Sequence, residues 1–406
     1  MYVKLHSDFA GDALAREAGD IIKSCVHCGF CNATCPTYQE IFDERDGPRG
    51  RVYLVKHMLE SGQAGDVTRM HLDRCLTCRA CETTCPSGVR YGRLADIGRE
   101  IVERKTQRPI TDRLVRSIAR NVFPYPARVR AMMTAGRMVR WLLPPHLRRQ
   151  VPPRQPLTER QTIPRVTQRK MIILSGCVQS AATPQTNDAA RRVLRRVGIE
   201  LIDAPSAGCC GAVSYHLAAR EEALAFVRRN VDAWWPHIEA GAEAVVSSAS
   251  GCGVMIDDYG ALLADDQAYA DRAHRISELA RDLSEVVEAE DLDVFRGSMA
   301  KRATAVHCPC TLSHGQKRDG AVERILERVG IPLVATTERH LCCGSAGTYS
   351  LLQPAISERL LDRKLAALSA GKPEQIVTAN IGCQLHLASR SDVPVKHCIE
   401  LLDRAD

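Results

Sequence analysis

Eighteen cysteines in 406 residues dominate the chemistry open to this chain. Eight of them fall in two runs of identical spacing. Cys25, Cys28, Cys31 and Cys35 precede Pro36; Cys75, Cys78, Cys81 and Cys85 precede Pro86. Both runs read C-x2-C-x2-C-x3-C-P, the spacing that holds [4Fe–4S] clusters. Three thiolates from one short loop can wrap one face of a cubane. The fourth points away, and the proline ends the turn. Zinc is the competing metal, but a zinc site needs four donors and usually shows two separated C-x2-C pairs. Two complete four-cysteine runs fit a pair of cubanes better.

In two-cluster ferredoxins the fourth cysteine of each run ligates the other cluster. The expected ligand sets are therefore Cys25, Cys28, Cys31 and Cys85 for cluster one, and Cys75, Cys78, Cys81 and Cys35 for cluster two. His27 stands between two ligands, either as a hydrogen-bond partner of a cluster or as a half-exposed loop residue.

A second set of cysteines marks an internal duplication. An apolar run at 171–174 precedes Cys177, then come Cys209-Cys210-Gly211 and, after a second apolar run at 244–248, Gly251-Cys252. The later copy has an apolar run at 303–306 before Cys308 and Cys310, then Cys342-Cys343-Gly344, a run at 376–379 and Gly382-Cys383. Each copy offers four thiols: Cys177, Cys209, Cys210 and Cys252, and Cys310, Cys342, Cys343 and Cys383. Gly211 and Gly344 let the backbone approach a ligand closely. Four thiolates suit zinc as well as an Fe–S cluster, so the metal stays open, as does one copy of each kind.

Elements that position these residues can be read from periodicity. Residues 52–62 and 94–105 carry apolar side chains at helical spacing, with Gly62 as a C-cap. In the duplicated half, strand-like runs alternate with helices at 189–197 and 321–329, each followed by Gly-Ile and a short strand, which predicts parallel α/β units. His274 and His397 each open an apolar helical run and are matched across the copies. The expected fold is α+β and multidomain: an α-helical two-cluster ferredoxin domain (1–106), a basic Pro-rich helical connector (107–168), and two duplicated α/β CCG lobes (169–290 and 300–406).

Charge is placed unevenly. The net charge is +7, yet residues 101–170 hold 17 basic and 3 acidic residues, and the rest of the chain is acidic. A basic amphipathic helix is expected at 129–143, for lipid, for a partner subunit, or as a plain link. The localised charge argues for a docking surface and against general nucleic-acid binding. No stretch approaches the roughly 18 apolar residues of a membrane span, and no secretory h-region opens the chain. Clustered cysteines without an export signal predict a reducing cytoplasm.

The segments CVHCGFCNATCPTYQ, DGPRGRVYLVK, HLDRCLTCRACETTCPSGVRY, AGCCGAVSYHL, HCPCTLSHGQK, HLCCGSAGTYSL and GKPEQIVTANIGCQLHLAS resemble the iron–sulfur subunits of bacterial glycolate oxidases. That family is related to heterodisulfide reductase and lactate-utilisation proteins. The resemblance implies electron transfer from FAD on two flavin-binding partner subunits, through [4Fe–4S] clusters, towards quinone or another membrane acceptor. It also implies a cytoplasmic protein peripherally associated with the inner membrane. One departure is visible: where heterodisulfide relatives end each repeat in C-x2-C, this chain has Met255 and His386, while Cys308 and Cys398 are extra thiols of the second copy only. No dinucleotide fingerprint or nucleophile elbow is present, so no substrate site is expected on this chain. Competing expectations are thiol–disulfide reductase chemistry at the CCG cysteines, a scaffold whose CCG lobes hold zinc, and a partner that oxidises D-lactate or another 2-hydroxy acid.

Overall fold

The computed structural model describes residues 1–141, 169–296 and 301–403. Its contacts divide into two units. The first comprises Met1–Ile118 with Ser214–Arg220 and His340–Lys364; the second comprises Ala119–Val213, Glu221–Arg339 and Leu365–Asp406.

In the first unit, three helices carry the core: Ala13–Lys23, Pro48–Ser61 and Tyr91–Lys105. Asp12 caps the first, its carboxylate accepting from the Leu14 and Ala15 N–H groups, which satisfies donors a helix start leaves open. Pro48 opens the second and Gly62 closes it at φ 73°, a left-handed turn that costs glycine nothing. The apolar stripes meet: Ile21, Ile22, Val55, Met58, Leu59, Leu94, Ile97 and Ile101 are buried together. Full burial of each such side chain contributes about 1.5–3 kcal/mol. Two later segments complete this unit. Tyr215 receives a hydrogen bond from Arg93, His216 Nδ1 lies 3.1 Å from Asp96, and the Tyr349 hydroxyl donates to the Arg74 carbonyl at 3.0 Å.

The second unit holds two parallel sheets. The first takes the order β2-β1-β3-β4, from Ile199–Asp203 (β2), Arg169–Leu174 (β1), Val245–Ser247 (β3) and Ala280–Asp282 (β4). The second takes the order β5-β6-β7, from Thr304–His307, Gln375–Thr378 and Val395–His397. Parallel strands need crossover helices, which bury both sheet faces; β3, β5 and β6 are accordingly buried at every position. One continuous core joins the two sheets, running from Ile173 and Val246 to Val306 and Val377. Hydrogen bonds also cross between them: the Ser250 N–H donates to the Ala379 carbonyl at 3.2 Å, and His397 Nε2–H donates to the Ser248 carbonyl at 2.8 Å.

The copies differ in two places from the sequence expectation. The strand after Gly330-Ile331 is reduced to a single bridge between Thr304 and Leu333. His274 lies on the helix Ala270–Leu279 and is exposed, whereas His397 is buried at the end of β7. The structural counterpart of His397 is Asp282, at the end of β4. The expected basic helix is present as Pro126–Met138, preceded by Ile110–Val122. Leu142, Leu143 and the remainder of the connector to 168 lie outside the described residues.

Candidate iron–sulfur centres

Both C-x2-C-x2-C loops share one backbone device. His27 and Gly29 in the first loop, and Thr77 and Arg79 in the second, have φ of 61°, 86°, 52° and 60°. Alternating left- and right-handed residues turn successive N–H groups to one side, the nest that receives anionic groups and Fe–S centres. At the first loop Gly29 takes the left-handed position without strain, and the Arg49 guanidinium lies 2.5 Å from where its Cβ would stand. At the same place in the second loop, Arg79 bears the left-handed strain itself.

The eight cysteines gather around two cavities. Cys25, Cys28, Cys31 and Cys85 line the first, with Cys81 at its wall; it spans about 450 Å³ including the open space at its mouth. Cys35, Cys75, Cys78 and Cys81 line the second, of about 290 Å³ on the same measure. Pro48 and Tyr91 line both cavities and so separate them. The first cavity opens at Cys28, which is exposed, beside Val26, Phe30 and Tyr53 at 67%, 62% and 54% exposure. His27 stands at this mouth, its ring centroid 6.4 Å from that of Tyr53. The second cavity is walled by buried cysteines at Cys35, Cys75 and Cys81.

Burial alone would disfavour charge on Arg51, beside the second cavity; Tyr91, Cys75, Cys35 and Asp46 more than offset it and keep the guanidinium ionised. Four soft thiolates per cavity, inward-turned N–H groups and buried cations match the needs of an anionic thiolate-bound cubane. The residues present therefore fit the cluster. Sequence reasoning missed Arg51, Arg99 and Tyr91.

In the second unit the first CCG turn brings its four thiols together. Cys177 and Cys210 both bond to Cys209, and Cys252 bonds to Cys210. Donation from Cys177 and then Cys210, with the Gly211 N–H at 3.4 Å and nearby Arg229, holds Cys209 well below the usual thiol range. Cys177 and Cys210 are pushed up, first by their bonds to Cys209 and then by burial or further thiols. The turn is braced from behind. Asn230 accepts from the Gly208 N–H and donates to the Cys209 carbonyl, both at 2.9 Å, and the Tyr259 hydroxyl donates to the Cys210 carbonyl at 2.9 Å. Met255, buried, places its terminal methyl 3.6 Å from where a Gly211 Cβ would stand.

Of the second copy, Cys310 and Cys383 belong to the second unit, and Cys342, Cys343 and Gly344 to the first. The Cys342 sulfur accepts from the Gly344 N–H at 3.4 Å, repeating the geometry of Cys209. Cys383 accepts from Asn380 Nδ2 at 3.4 Å. His386 is half-buried on the helix Ile381–Ala388. Cys308 and Cys398 are buried in the apolar core of the second unit, and burial pushes both thiols up. They behave as core side chains.

Among the described residues no helix is long and apolar enough to cross a membrane. The helix Ile110–Val122 nevertheless leaves Ile110, Leu114 and Ile118 exposed, one turn apart.

Comparison with known proteins agrees with this geometry. Residues 21–89 match the 4Fe-4S dicluster domain, and residues 171–257 and 304–388 each match the cysteine-rich CCG domain. The glycolate oxidase iron–sulfur subunit of Escherichia coli is 50% identical over 100% of this chain and 99% of its own length. The probable glycolate oxidase iron–sulfur subunit of Bacillus subtilis is 31% identical, covering 91% of this chain and 89% of its own length. Lactate utilization protein A of Bacillus velezensis is 27% identical over 58% of this chain. A crystal structure of a hypothetical protein from Helicobacter pylori has a TM-score of 0.56 over 97% of this chain and 72% of that chain, at 9% identity, a likeness of fold alone. Two thiol-lined cavities in a helical unit, together with two CCG turns and two parallel sheets, thus coincide with a full-length match, and the chain belongs to the family of glycolate oxidase iron–sulfur subunits.

Proposed function

We propose that this chain is the electron-carrying subunit of a flavin-dependent dehydrogenase that oxidises glycolate, with D-lactate the nearest alternative substrate of the partner. The observation that carries the reading is the sorting of eight cysteines into two cavities, with Cys85 joining the first run and Cys35 the second. Cys25, Cys28, Cys31 and Cys85 would hold one [4Fe–4S] cluster, and Cys75, Cys78, Cys81 and Cys35 the other. Bound there, the clusters supply one-electron centres. The chain's own residues do the rest: nest N–H groups and buried arginines balance the thiolate charge, and the side chains of Pro48 and Tyr91 line both cavities. Cys177, Cys209, Cys210 and Cys252 form a further metal site, with the depressed Cys209 as its first anionic donor, for an Fe–S cluster or zinc. Cys310, Cys342, Cys343 and Cys383 are the matching cysteines of the sequence repeat.

The partners in this reading are two flavin-binding subunits, with FAD as donor, and a quinone as acceptor. The complex is cytoplasmic and lies against the inner membrane, where the basic connector meets anionic lipid. Iron, acid-labile sulfide and zinc per chain, measured on anaerobically purified complex with EPR of the reduced form, test the reading. About eight irons are expected from two cubanes, and about twelve if a CCG site holds a third. Iron well below eight with stoichiometric zinc would refute electron transfer by this chain.

A further inference from the structure

Two cavities of the same construction differ in the charge behind their sulfurs. At the second, Cys35 Sγ lies 3.3 Å from Thr37 Oγ1, and Cys75 Sγ accepts from the Thr77 N–H at 3.4 Å with the Tyr91 hydroxyl at 3.7 Å. Thr37 Oγ1 accepts from Arg51 Nη1 at 3.1 Å, and Arg51 is 1% exposed. The single hydroxyl proton then has two acceptors, the Asp46 carbonyl at 2.8 Å and the Cys35 sulfur. Arg99, also buried, donates to the Cys75 carbonyl at 2.5 Å and to the Thr77 hydroxyl at 2.8 Å.

Nearby carboxylates do not cancel these cations. Asp46 is shared by Arg51 at 3.4 Å and Arg74 at 3.0 Å, and Asp96 faces Arg99 at 3.4 Å. Three guanidiniums thus face two carboxylates in these pairs, Arg74 among them at 27% exposure; Asp73 also acts on Arg99 but is itself held by Arg108 and Arg116, and Glu82 acts on Cys81. At the first cavity Arg49 meets Glu44 one for one at 2.6 Å, their side chains 34% and 44% exposed. Adding one electron makes a thiolate-bound centre one unit more negative, and buried positive charge and donors to sulfur favour that form. Water acts at the first centre, where Cys28 is exposed and Cys25, Cys31 and Cys85 are half-buried, more than at the second, where only Cys78 is not buried. Unbalanced charge in a low-dielectric interior acts several times more strongly than screened charge.

We propose, on the cluster assignment above, that the centre held by Cys35, Cys75, Cys78 and Cys81 has the higher reduction potential of the two. Arg51, acting through Thr37, is the positioning residue that sets the difference. An electron given up by reduced flavin is then taken in at the first cavity, at the Cys28 edge, and settles at the second; only the electron moves between the two centres.

Anaerobic redox titration of the complex, followed by EPR, tests this. Two signals with separate midpoints are expected, and Cys28→Ser alters the shape of the lower-potential one. Thr37→Val lowers the higher midpoint, cutting its reduced-to-oxidised ratio at fixed poise about tenfold (~59 mV for a one-electron couple). Thr37→Ser restores it, and the lower midpoint does not move. Arg51→Gln gives a shift in the same direction, and Arg51→Lys, which keeps the charge, a smaller one. Should the Arg51 variants fail to fold, the Thr37 pair decides. With about eight irons retained, an unmoved midpoint in Thr37→Val, or a Cys28→Ser change in the higher-potential signal, overturns the proposal alone. A wild-type complex with fewer irons or one signal overturns the cluster assignment and this proposal together.

Discussion

Replacing the glycine of each CCG turn by alanine should damage the two turns unequally. Gly211 and Gly344 both have left-handed backbone, at φ 94° and 89°. Alanine there costs roughly 1–2 kcal/mol in either turn, so that contribution cancels between the variants. The surroundings do not cancel. A Cβ on Gly344 would stand 2.6 Å from the Ser357 carbonyl oxygen and 3.0 Å from Leu360 Cβ. A Cβ on Gly211 would stand 3.1 Å from the Ala223 carbonyl oxygen, with its next neighbours at 3.6 Å. The first contact requires a backbone shift in the helix Pro354–Ser369, and that shift loosens the Ser357 hydroxyl bond to the Gly344 carbonyl at 2.8 Å. The second requires a few tenths of an ångström. Overpacking of the first kind costs about 1–3 kcal/mol. Gly344→Ala should therefore be less stable than Gly211→Ala by that amount, which corresponds to roughly 3–10 °C in melting temperature for domains of this size. Differential scanning calorimetry of the anaerobic protein at one scan rate measures it. Equal losses, or a larger loss in Gly211→Ala, would refute the steric argument.

Further expectations concern ligation, proton uptake and the connector. Cys85→Ala should abolish the EPR signal that Cys28→Ala abolishes and spare the one lost in Cys78→Ala, keeping about four irons of eight; pairing of Cys85 with the Cys78 signal would disprove the crossed arrangement. Burial raises Asp282 to about 6 from 3.8. Its folded state binds the proton more tightly, so stability from this group is present below about pH 4 and lost as pH rises through 6, roughly 3 kcal/mol in all. Asp282→Asn should stabilise the protein at pH 8 and leave it unchanged near pH 4, as read from urea midpoints; equal effects at both pH values would exclude this cause. Burial lowers His397 to about 4, outweighing its bond to Ser248. That contribution is present above the ordinary histidine value of 6.5 and lost as pH falls through 4, so His397→Gln should flatten the acid limb of the same curve. Co-sedimentation of the complex with anionic vesicles should weaken with salt and with Leu114→Asp, whose side chain is 58% exposed; binding unaffected by either would remove the helix Ile110–Val122 from the lipid contact.

Features decided by local chemistry were legible in the sequence. The C-x2-C loops, the helix ending at Gly62 and the runs that became β1, β3, β5 and β6 each depend on spacing within about ten residues. Long-range features were not. Nothing in the run 48–51 announces that Arg51 is buried between Thr37, Asp46 and the His71 carbonyl, because its partners lie up to 20 residues away in other elements. The match of His274 with His397 failed for the same reason. Both precede apolar helical patterns, but only the pairing of β7 with β6 decides which is the buried strand end. The second strand of the later copy shrank to a bridge because Pro332 removes a ladder donor there.

The segments after the two CCG turns show what a duplication keeps and what it leaves free. Each turn is followed within five residues by a tyrosine, Tyr215 after Gly211 and Tyr349 after Gly344. Both tyrosines fall in the first unit, against elements that carry or flank the cavity-lining cysteines. Their bonds differ in kind. Tyr215 accepts from the Arg93 side chain, which also pairs with Glu17, while Tyr349 donates to the Arg74 backbone carbonyl, one residue before Cys75. A side-chain partner can be lost by one substitution; a carbonyl cannot. The copy bonded to the backbone is the one next to Cys75 at the second cavity, and there the surrounding Arg51, Cys75, Cys342 and Arg99 all act on the phenol, after burial itself. Position in the repeat thus specifies a tyrosine, and the element it meets specifies how rigidly that tyrosine is held.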